Sequence, residues 1–256
     1  LPRLTNGPLF TCPSIPRFFF RQDSPAAAAN FLLFCSDGYK SIGKDSAMTN
    51  TNAANDVKDF LRQAAHVTPS SRQLKWYERE FYAFVHFSPN TYTGLEWGLG
   101  DEEESLFNPT ELDCDQWVEA VRAAGMKGLI LTAKHHDGFC LWPSRYTEHS
   151  VKNCPLKIDV VREAAEACRR GGIDFGFYLS PWDRNSVLYG TDAYNDYYQK
   201  QLTELLAEYG EIFCVWLDGA CGEGPNGRKQ VYDFPGIIRL VRKYQPNAVI
   251  FQDGGP

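Results

Sequence analysis

From residue 81 onward, hydrophobic and polar positions repeat one unit, a short apolar run followed by a segment with helical spacing of apolar residues. The apolar runs predict five β-strands, at 81–87, 128–135, 174–181, 212–219 and 248–255. The segments between them carry apolar residues at i, i+3, i+4 and i+7, which predicts four amphipathic helices, around 117–124, 161–168, 198–209 and 237–244. Three glycines are expected to end the first three helices, Gly125, Gly171 and Gly210. Strands that are apolar almost throughout and alternate with helices predict an α/β fold with a parallel sheet.

The spacing of these strands bears on which α/β fold the chain adopts. The strands start at wide intervals, and no glycine-rich dinucleotide fingerprint follows the first of them. Both features favour a (β/α)8 TIM-type barrel over a doubly wound sheet. Such a barrel needs eight strands, whereas this sequence supplies five. We therefore expect an incomplete barrel of about five βα units in a C-terminally truncated chain.

The amino-terminal part of the sequence differs from the rest. Residues 1–47 contain scattered prolines, lack helical or strand periodicity and show no clear signal peptide. We expect them to form an irregular or disordered leader, which need not belong to the mature protein. Residues 48–75 are expected to form a short helical lead-in, and residues 76–256 a partial catalytic (β/α) barrel.

Composition narrows the function classes. The chain is 43% hydrophobic and 23% charged, as expected of a globular protein. The formal net charge of -6 and the lack of a basic stripe argue against nucleic-acid binding, and no apolar run reaches the roughly 20 residues of a membrane span. The eight cysteines form no C-x-x-C pair and are interpreted as buried or free thiols.

Polar residues stand where the predicted strands end. The ends of the first four strands carry in turn His86, His135 with His136, Tyr178 and Asp218. Taken singly, each histidine could be structural, Tyr178 could be a core aromatic, and Asp218 could cap a turn. Because active sites of (β/α) barrels lie at the carboxyl ends of the strands, their recurrence predicts a functional site at that edge.

Two kinds of chemistry fit these residue types. One carboxylate, several imidazoles and nearby tryptophans are typical of a sugar-binding site; the tryptophans are Trp97, Trp142, Trp182 and Trp216. Three histidines and an aspartate are also zinc ligands, so metal-dependent hydrolysis is the alternative. Adjacent strand residues point to opposite faces, so His135 and His136 could share one ion only if the strand has already ended. The absence of a G-x-S-x-G motif leaves no support for a serine hydrolase.

Five segments together carry a family resemblance: FVHF at 84–87, LEWG at 95–98, LTAKHHDGFCLWPS at 131–144, YLSPWDRN at 178–185 and VWLDGACGEGPNG at 215–227. From about Trp76 to its last residue, the chain resembles the family 29 glycoside hydrolases, the α-L-fucosidases. YLSPWDRN and the later segments are more similar to the branch that prefers α-1,3- or α-1,4-linked fucose.

The resemblance implies an exo-acting α-L-fucosidase that hydrolyses terminal α-linked L-fucose from glycans by a retaining double displacement. It makes Asp218 the nucleophile. The residues matching positions that hold or line the fucose are His86, Glu96, Trp97, His135, His136 and Tyr178. Trp216, two residues before Asp218, lies on the same side of its strand and either contacts the sugar or packs in the barrel interior.

The general acid/base of such a reaction is the main departure from the family pattern. In the family, the acid/base glutamate follows the nucleophile by some tens of residues, so it is not present in this chain; Glu223 is the nearest substitute. The alternative is therefore a non-catalytic fucose-binding fragment. The resemblance implies that the protein needs no metal and no cofactor. Its expected partners are fucosylated oligosaccharides or glycoproteins, and its expected location is secreted or an acidic degradative compartment. The resemblance implies no oligomeric state.

Overall fold

The structure is a computed structural model that describes residues 51–252, with side chains from residue 57 onward. The predicted leader, 1–47, lies outside the described residues. One compact unit ends at Ala65 and a second begins at His66. The described part of the first is helix α1, Thr51–Ala65, whose Val57, Phe60 and Leu61 are exposed. None of the described helices has the length and apolar character needed to cross a membrane.

The second unit alternates strands with helices, as the sequence pattern predicts. Its strands are β1 Ala83–Val85, β2 Gly128–Lys134, β3 Asp174–Leu179, β4 Cys214–Trp216 and β5 Val249–Phe251. Its helices are α2 Ser71–Tyr77, α3 Pro89–Thr93, α4 Cys114–Ala123, α5 Val160–Gly171, α6 Asp192–Glu208 and α7 Phe234–Tyr244. The strands form one parallel sheet in the order β1-β2-β3-β4-β5, which confirms the predicted α/β class with a parallel sheet.

The strands are shorter than predicted because the chain leaves the sheet before its polar residues. Strand β4 ends at Trp216, so Asp218 lies in the following loop rather than in the strand. Strand β2 ends at Lys134, so His135 and His136 also lie beyond the sheet. The histidines and Asp218 therefore stand on loops that follow the strands, whereas Tyr178 lies within β3.

The helix ends follow local capping chemistry. The side chains of Asp113, Asp159 and Asp233 accept backbone N–H bonds at the starts of α4, α5 and α7. Gly125 and Gly210 follow α4 and α6 with φ of 76° and 82°, as predicted. Gly171 is the last residue of α5, so this helix also ends at the predicted glycine, and the next residue, Gly172, with φ of 68°, is the left-handed cap.

The two faces of the sheet are packed differently. On the outer face, Leu129, Leu131 and Phe177 join a large buried core with the helices. On the inner face, a smaller aromatic cluster includes Phe84 of β1 and Trp216 of β4, whose ring centroids are 5.1 Å apart. Two strands lie between β1 and β4, and neighbouring strands are spaced by about 4.8 Å, so the sheet must curve with its inner face concave.

A β-bulge interrupts the alternation at the end of β2. Thr132 pairs with Tyr178 and Lys134 pairs with Leu179, so β2 uses one residue more than β3 over this interval. Strict alternation would turn Lys134 to the inner face, with Ile130 and Thr132. The extra residue turns Lys134 to the helix side instead.

Candidate active site

The structure brings most of the predicted site residues together at the carboxyl edge of the sheet. The ring centroids of His86 and His135 are 5.8 Å apart, and those of His135 and His136 are 4.2 Å apart. The His135 ring stacks on Tyr178 at 5.9 Å, with the two planes at 30°. The Tyr178 hydroxyl donates a hydrogen bond of 2.8 Å to Asp218 Oδ2. These five side chains form one continuous cluster.

Asp218 stands in an unusual backbone conformation. Its φ is 60°, in the left-handed region that residues other than glycine seldom adopt. Its Oδ2 accepts the Tyr178 hydroxyl, and its Oδ1 accepts the backbone N–H of Gly219 at 2.5 Å. Such conformations cost about 1–3 kcal/mol and cluster at functional sites. Two donors and a constrained backbone fix the direction in which this carboxylate points.

Burial keeps the site histidines neutral. It lowers the pKa of His135 to about 3 and that of His136 to about 4, and Asp218 opposes the change in both cases. Burial also lowers the pKa of His86. A neutral imidazole has one donor and one acceptor nitrogen, whereas an imidazolium has two donors. These rings can therefore both give and receive hydrogen bonds.

The tautomer of His136 follows from its neighbours. The Ser180 hydroxyl donates to the carbonyl oxygen of Trp182 at 2.6 Å, so its oxygen is free to accept from His136 Nδ1 at 2.8 Å. Since this neutral ring carries its proton on Nδ1, its Nε2 is an acceptor.

Buried polar atoms without partners mark the pocket beside this cluster. A cavity of about 210 Å³ is lined by His86, Ser88, Asn90, Thr91, Leu95, Glu96, Thr132 and His135. Three atoms of lining residues are buried with no hydrogen-bond partner in the structure: Asn90 Oδ1, Thr132 Oγ1 and His135 Nδ1. Buried polar groups in native proteins are rarely left unpaired. The pocket is therefore suited to a small ligand that carries several hydroxyl groups.

The other predicted site residues lie at different depths. Glu96 lines the cavity, and Trp97, which is 50% exposed, places its ring 5.7 Å from that of His136 at the rim. Trp216 stacks on Phe251 at 3.7 Å and contacts Phe84, within the aromatic inner layer. Of the two alternatives for Trp216, its contacts match the interior packing role.

Two further residues lie near the site, Trp182 and Arg184. From the sequence, Trp182 is one of the tryptophans near the strand ends, and Asp183, Arg184 and Asn185 are either rim residues beside the leaving group or a solvated charge cluster. The Trp182 ring lies 5.0 Å from His136 and 5.7 Å from Trp97, and Arg184 stands over the Trp182 ring at 5.5 Å. Asp183, in the same cluster, is buried rather than solvated. The sequence signal for the burial of Asp183 was Lys134. This charged residue ends an otherwise apolar strand, so it requires a buried acidic partner.

Two other features bear on the location of the site. Within residues 51–252, no three His, Cys, Asp or Glu side chains are arranged to hold a metal ion. A larger cavity, about 540 Å³, lies at the amino ends of the strands. Its lining residues Arg79 and Asp174 pair with each other at 2.6 Å, and the site histidines and Asp218 lie at the opposite edge. The carboxyl edge is the better candidate.

Comparisons with known proteins point to one family. A family profile for alpha-L-fucosidases matches residues 60–255. Alpha-L-fucosidase 1 of Arabidopsis thaliana is 51% identical over 192 residues, which are 73% of this chain and 38% of the relative. The chain thus spans between about a quarter and two fifths of the length of the curated relatives it matches.

Solved structures give the same result. A glycoside hydrolase 29 family member from an unknown rumen bacterium is 52% identical, with a TM-score of 0.69, over 73% of this chain and 36% of that one. A Ruminococcus gnavus GH29 fucosidase in complex with fucose is 34% identical, with a TM-score of 0.63, over 70% and 41% of the two chains. This chain belongs to the alpha-L-fucosidase family, glycoside hydrolase family 29.

Proposed function

We propose that the intact protein containing this chain is an exo-acting α-L-fucosidase that removes terminal α-linked L-fucose with retention of configuration. The observation that carries the proposal is Asp218, which has a left-handed backbone conformation and whose carboxylate accepts two hydrogen bonds beside a pocket of neutral histidines. The relative from Ruminococcus gnavus that binds fucose supports a fucosyl ligand for the same pocket.

In the proposed reaction, Asp218 is the nucleophile. One carboxylate oxygen forms a bond to the anomeric carbon while the bond from that carbon to the leaving-group oxygen breaks. Water then attacks the same carbon of the glycosyl-enzyme, releasing fucose and restoring the carboxylate. The Tyr178 hydroxyl, which donates to Oδ2, keeps the carboxylate oriented between these two steps.

The pocket residues bind the sugar. The cavity of about 210 Å³ has room for about seven waters at about 30 Å³ each, the scale of one sugar ring. Asn90, Thr132 and His135 supply buried polar atoms that hydroxyl groups would complete. Trp97 supplies an aromatic face at the rim for the apolar side of the ring. Exo action follows, since the pocket holds one residue and the rest of the glycan extends into solvent.

A second carboxyl group must protonate the leaving oxygen from about 5–5.5 Å away. Glu223, the glutamate nearest to Asp218 in the sequence, is exposed, and its backbone carbonyl oxygen accepts a hydrogen bond from Trp182 Nε1. We propose that the acid/base lies outside residues 51–252, on further βα units of a TIM-type barrel. The sequential parallel strands and the concave aromatic face of the sheet support this closure.

The proposed preference for α-1,3- or α-1,4-linked fucose rests on the rim. Trp97, Trp182 and Arg184 form an aromatic and cationic group on the solvent side of His136. A branched sugar leaving group offers both ring faces and hydroxyls to such a surface. A panel of fucosides differing only in linkage tests this preference, and equal rates across the panel would contradict it.

The experiment on the reaction uses the intact protein and an aryl α-L-fucoside. We expect Asp218→Asn to lower kcat by ~10³-fold or more, since the bond-forming oxygen is lost. Asp192→Asn, at an exposed position on α6, is the matched control and should leave kcat unchanged. Both variants should unfold at nearly the same denaturant concentration as the unaltered protein.

A fluorinated fucosyl fluoride, whose glycosyl-enzyme hydrolyses slowly, identifies the nucleophile directly. Mass spectrometry should find the covalent sugar on the peptide that contains Asp218. A label on another carboxylate would overturn the assignment of Asp218. Fucose binding without turnover of the aryl substrate would favour the alternative of a non-catalytic fucose-binding protein.

A further inference from the structure

The β-bulge at the end of β2 reverses the sides of the sheet to which the next two side chains point. His135 faces the pocket, whereas Lys134 is fully buried on the helix side. A lone buried ammonium would cost several kcal/mol, so its surroundings must compensate for lost water. The bulge therefore builds a charged site directly behind the sugar pocket.

Lys134 is compensated by acceptors and aromatic faces. Its Nζ donates to Asp183 Oδ2 at 3.0 Å and to Gln201 Oε1 at 2.9 Å, and lies 3.4 Å from the Tyr194 hydroxyl oxygen. Three ring centroids lie 5.4–5.8 Å from Nζ, those of Tyr194, Tyr197 and Tyr198. All these partners except Asp183 belong to α6, so Lys134 joins the end of β2 to that helix.

Asp183 links Lys134 to residues 180–186, which we call the rim loop. Its Oδ2 accepts Lys134, while its Oδ1 accepts the backbone N–H groups of Asn185 at 3.0 Å and Ser186 at 2.8 Å. Its side chain is 1% exposed. One carboxylate thus shapes the turn of the rim loop and fastens it to the lysine.

The rim loop in turn holds three neighbouring segments at the pocket. The backbone N–H of Arg184 donates to the carbonyl oxygen of His136 at 2.8 Å, and Asn185 Nδ2 donates to that of Gly100 at 2.8 Å. Trp182 Nε1 donates to the carbonyl oxygen of Glu223, in the loop that follows Asp218, at 3.0 Å. Trp182 and Arg184 therefore sit on the solvent side of the pocket, where the leaving group of an exo-acting enzyme must lie.

We propose that the buried Lys134–Asp183 ion pair is a positioning device that holds Trp182 and Arg184 against the leaving-group sugar. The proposal rests on the proposed fucosidase function. Neither residue of the pair contacts substrate. Together they govern how well a sugar leaving group is used, while an aryl leaving group, which needs little support from the rim, depends on them less.

The test compares Lys134→Met with the unaltered intact protein by hydrogen exchange and kinetics. We expect amides of residues 184–186 to exchange about tenfold faster or more, because Asp183 loses its anchor. We expect the ratio of kcat/KM for a fucosylated oligosaccharide to that for an aryl fucoside to fall by about tenfold, as a displaced positioning group would cause. The loss should appear mainly as a higher KM for the oligosaccharide.

Glu204→Gln is the matched control. Glu204 is another buried carboxylate on the same helix side, and it anchors a loop away from the pocket by accepting Trp142 Nε1 and Ser144 Oγ, both at 2.8 Å. We expect this variant to loosen residues 142–146 and to leave both the rim loop and the substrate ratio unchanged. If the role of Lys134 were purely structural, Lys134→Met would leave the ratio of kcat/KM for the two substrates unchanged, as Glu204→Gln does.

The double variant Lys134→Met/Asp183→Asn covers the case in which Lys134→Met does not fold. It removes both buried charges, and the introduced amide keeps an oxygen for the two backbone donors, so the variant should fold and still show fast exchange at 184–186. Unchanged exchange there, or equal kinetic losses on both substrates, would overturn the positioning role. If the unaltered protein cleaves neither substrate, the fucosidase proposal fails, and the exchange comparison still decides whether the ion pair anchors the rim loop.

Discussion

Lys134 and His135 are neighbours in the chain, yet the structure treats their polar atoms in opposite ways. Behind the sheet, Lys134 Nζ has two strong acceptors and three aromatic faces around it. In front, His135 Nδ1 is buried without a partner, as is Thr132 Oγ1. The buried Lys134 Nζ on the helix side of the bulge has hydrogen-bond partners, whereas Thr132 Oγ1 and His135 Nδ1 on the pocket side have none.

This difference distinguishes polar groups that stabilise the fold from polar groups that are available to bind a ligand. An unpaired buried polar group costs about 1–3 kcal/mol, which a folded protein tolerates where a ligand supplies the missing partner. On the helix side, no external molecule completes the network, so the chain must do so itself. Around this bulge, the satisfied groups therefore belong to the scaffold, and the unpartnered atoms of Thr132 and His135 line the proposed sugar pocket.

The largest loss of stability should come from removing a residue of the hydrogen-bonded network on the helix side. Lys134→Met leaves Asp183 buried without a counter-charge, and we expect the free energy of unfolding to fall by about 3–5 kcal/mol. His135→Leu removes a ring nitrogen that has no partner, and should change that free energy by less than about 1 kcal/mol while lowering fucoside turnover. Urea denaturation at neutral pH measures both. Equal losses of stability would remove the distinction between the two sides.

An intermediate effect is expected in the pH dependence of the free energy of unfolding. Two adjacent residues, His136 and Asp137, change it in opposite directions. Burial raises the pKa of Asp137 to about 7 from 3.8 and lowers that of His136 to about 4 from 6.5. Between about pH 4 and 6.5, folded Asp137 keeps a proton that the unfolded chain releases, so its contribution to stability falls as pH rises. Folded His136 lacks a proton that the unfolded chain holds, so its contribution rises. Each slope approaches about 1.4 kcal/mol per pH unit.

Single substitutions at these two positions separate the slopes. We expect Asp137→Asn to make the free energy of unfolding rise more steeply with pH across this range, and His136→Asn to make it rise less steeply. Chemical denaturation at pH 4.5, 5.5 and 6.5 gives both slopes. A change of the same sign in both variants would contradict the assigned protonation states.

The smallest effect should come from removing an unsatisfied hydroxyl. Thr132→Val keeps the shape of a residue that is 1% exposed but removes its unpartnered oxygen, and we expect stability to increase by about 1 kcal/mol. Thr203→Val is the matched control, since the Thr203 hydroxyl donates to the carbonyl oxygen of Gln199 at 2.7 Å. That variant should lose stability. A loss in both would mean that the Thr132 hydroxyl is already satisfied in the free protein.

Much of the fold was predictable because the signals are local. Apolar runs and helical spacing located the five strands and helices α4 to α7 but missed the short helix α3, and glycines after α4 and α6 marked their ends. The sequence did not show which of Gly171 and Gly172 has the left-handed conformation. In the structure Gly172 has it, with φ of 68°, and Gly171 is needed for another reason, because a Cβ there would collide with Val118 of the packed helix α4.

The candidate site was predictable for a related reason. Parallel strands end at one edge of a sheet, so His86, His135, Tyr178 and Asp218 had to meet once the strands were correctly located. The depth of Trp216 was not predictable, because its contacts are with aromatic residues far away in sequence. Phe84 and Phe251 reach it only after the sheet has curved.

By itself, the sequence determined the α/β alternation, the parallel sheet and the edge at which the polar residues gather, because periodicity and chain direction are written in consecutive residues. Only the tertiary structure decided that Lys134 turns away from the pocket while His135 turns into it. One extra residue in a strand leaves no trace in hydrophobic periodicity, and the partner Asp183 is 49 residues away. A buried charge is located by the groups that surround it, and folding alone brings those groups together.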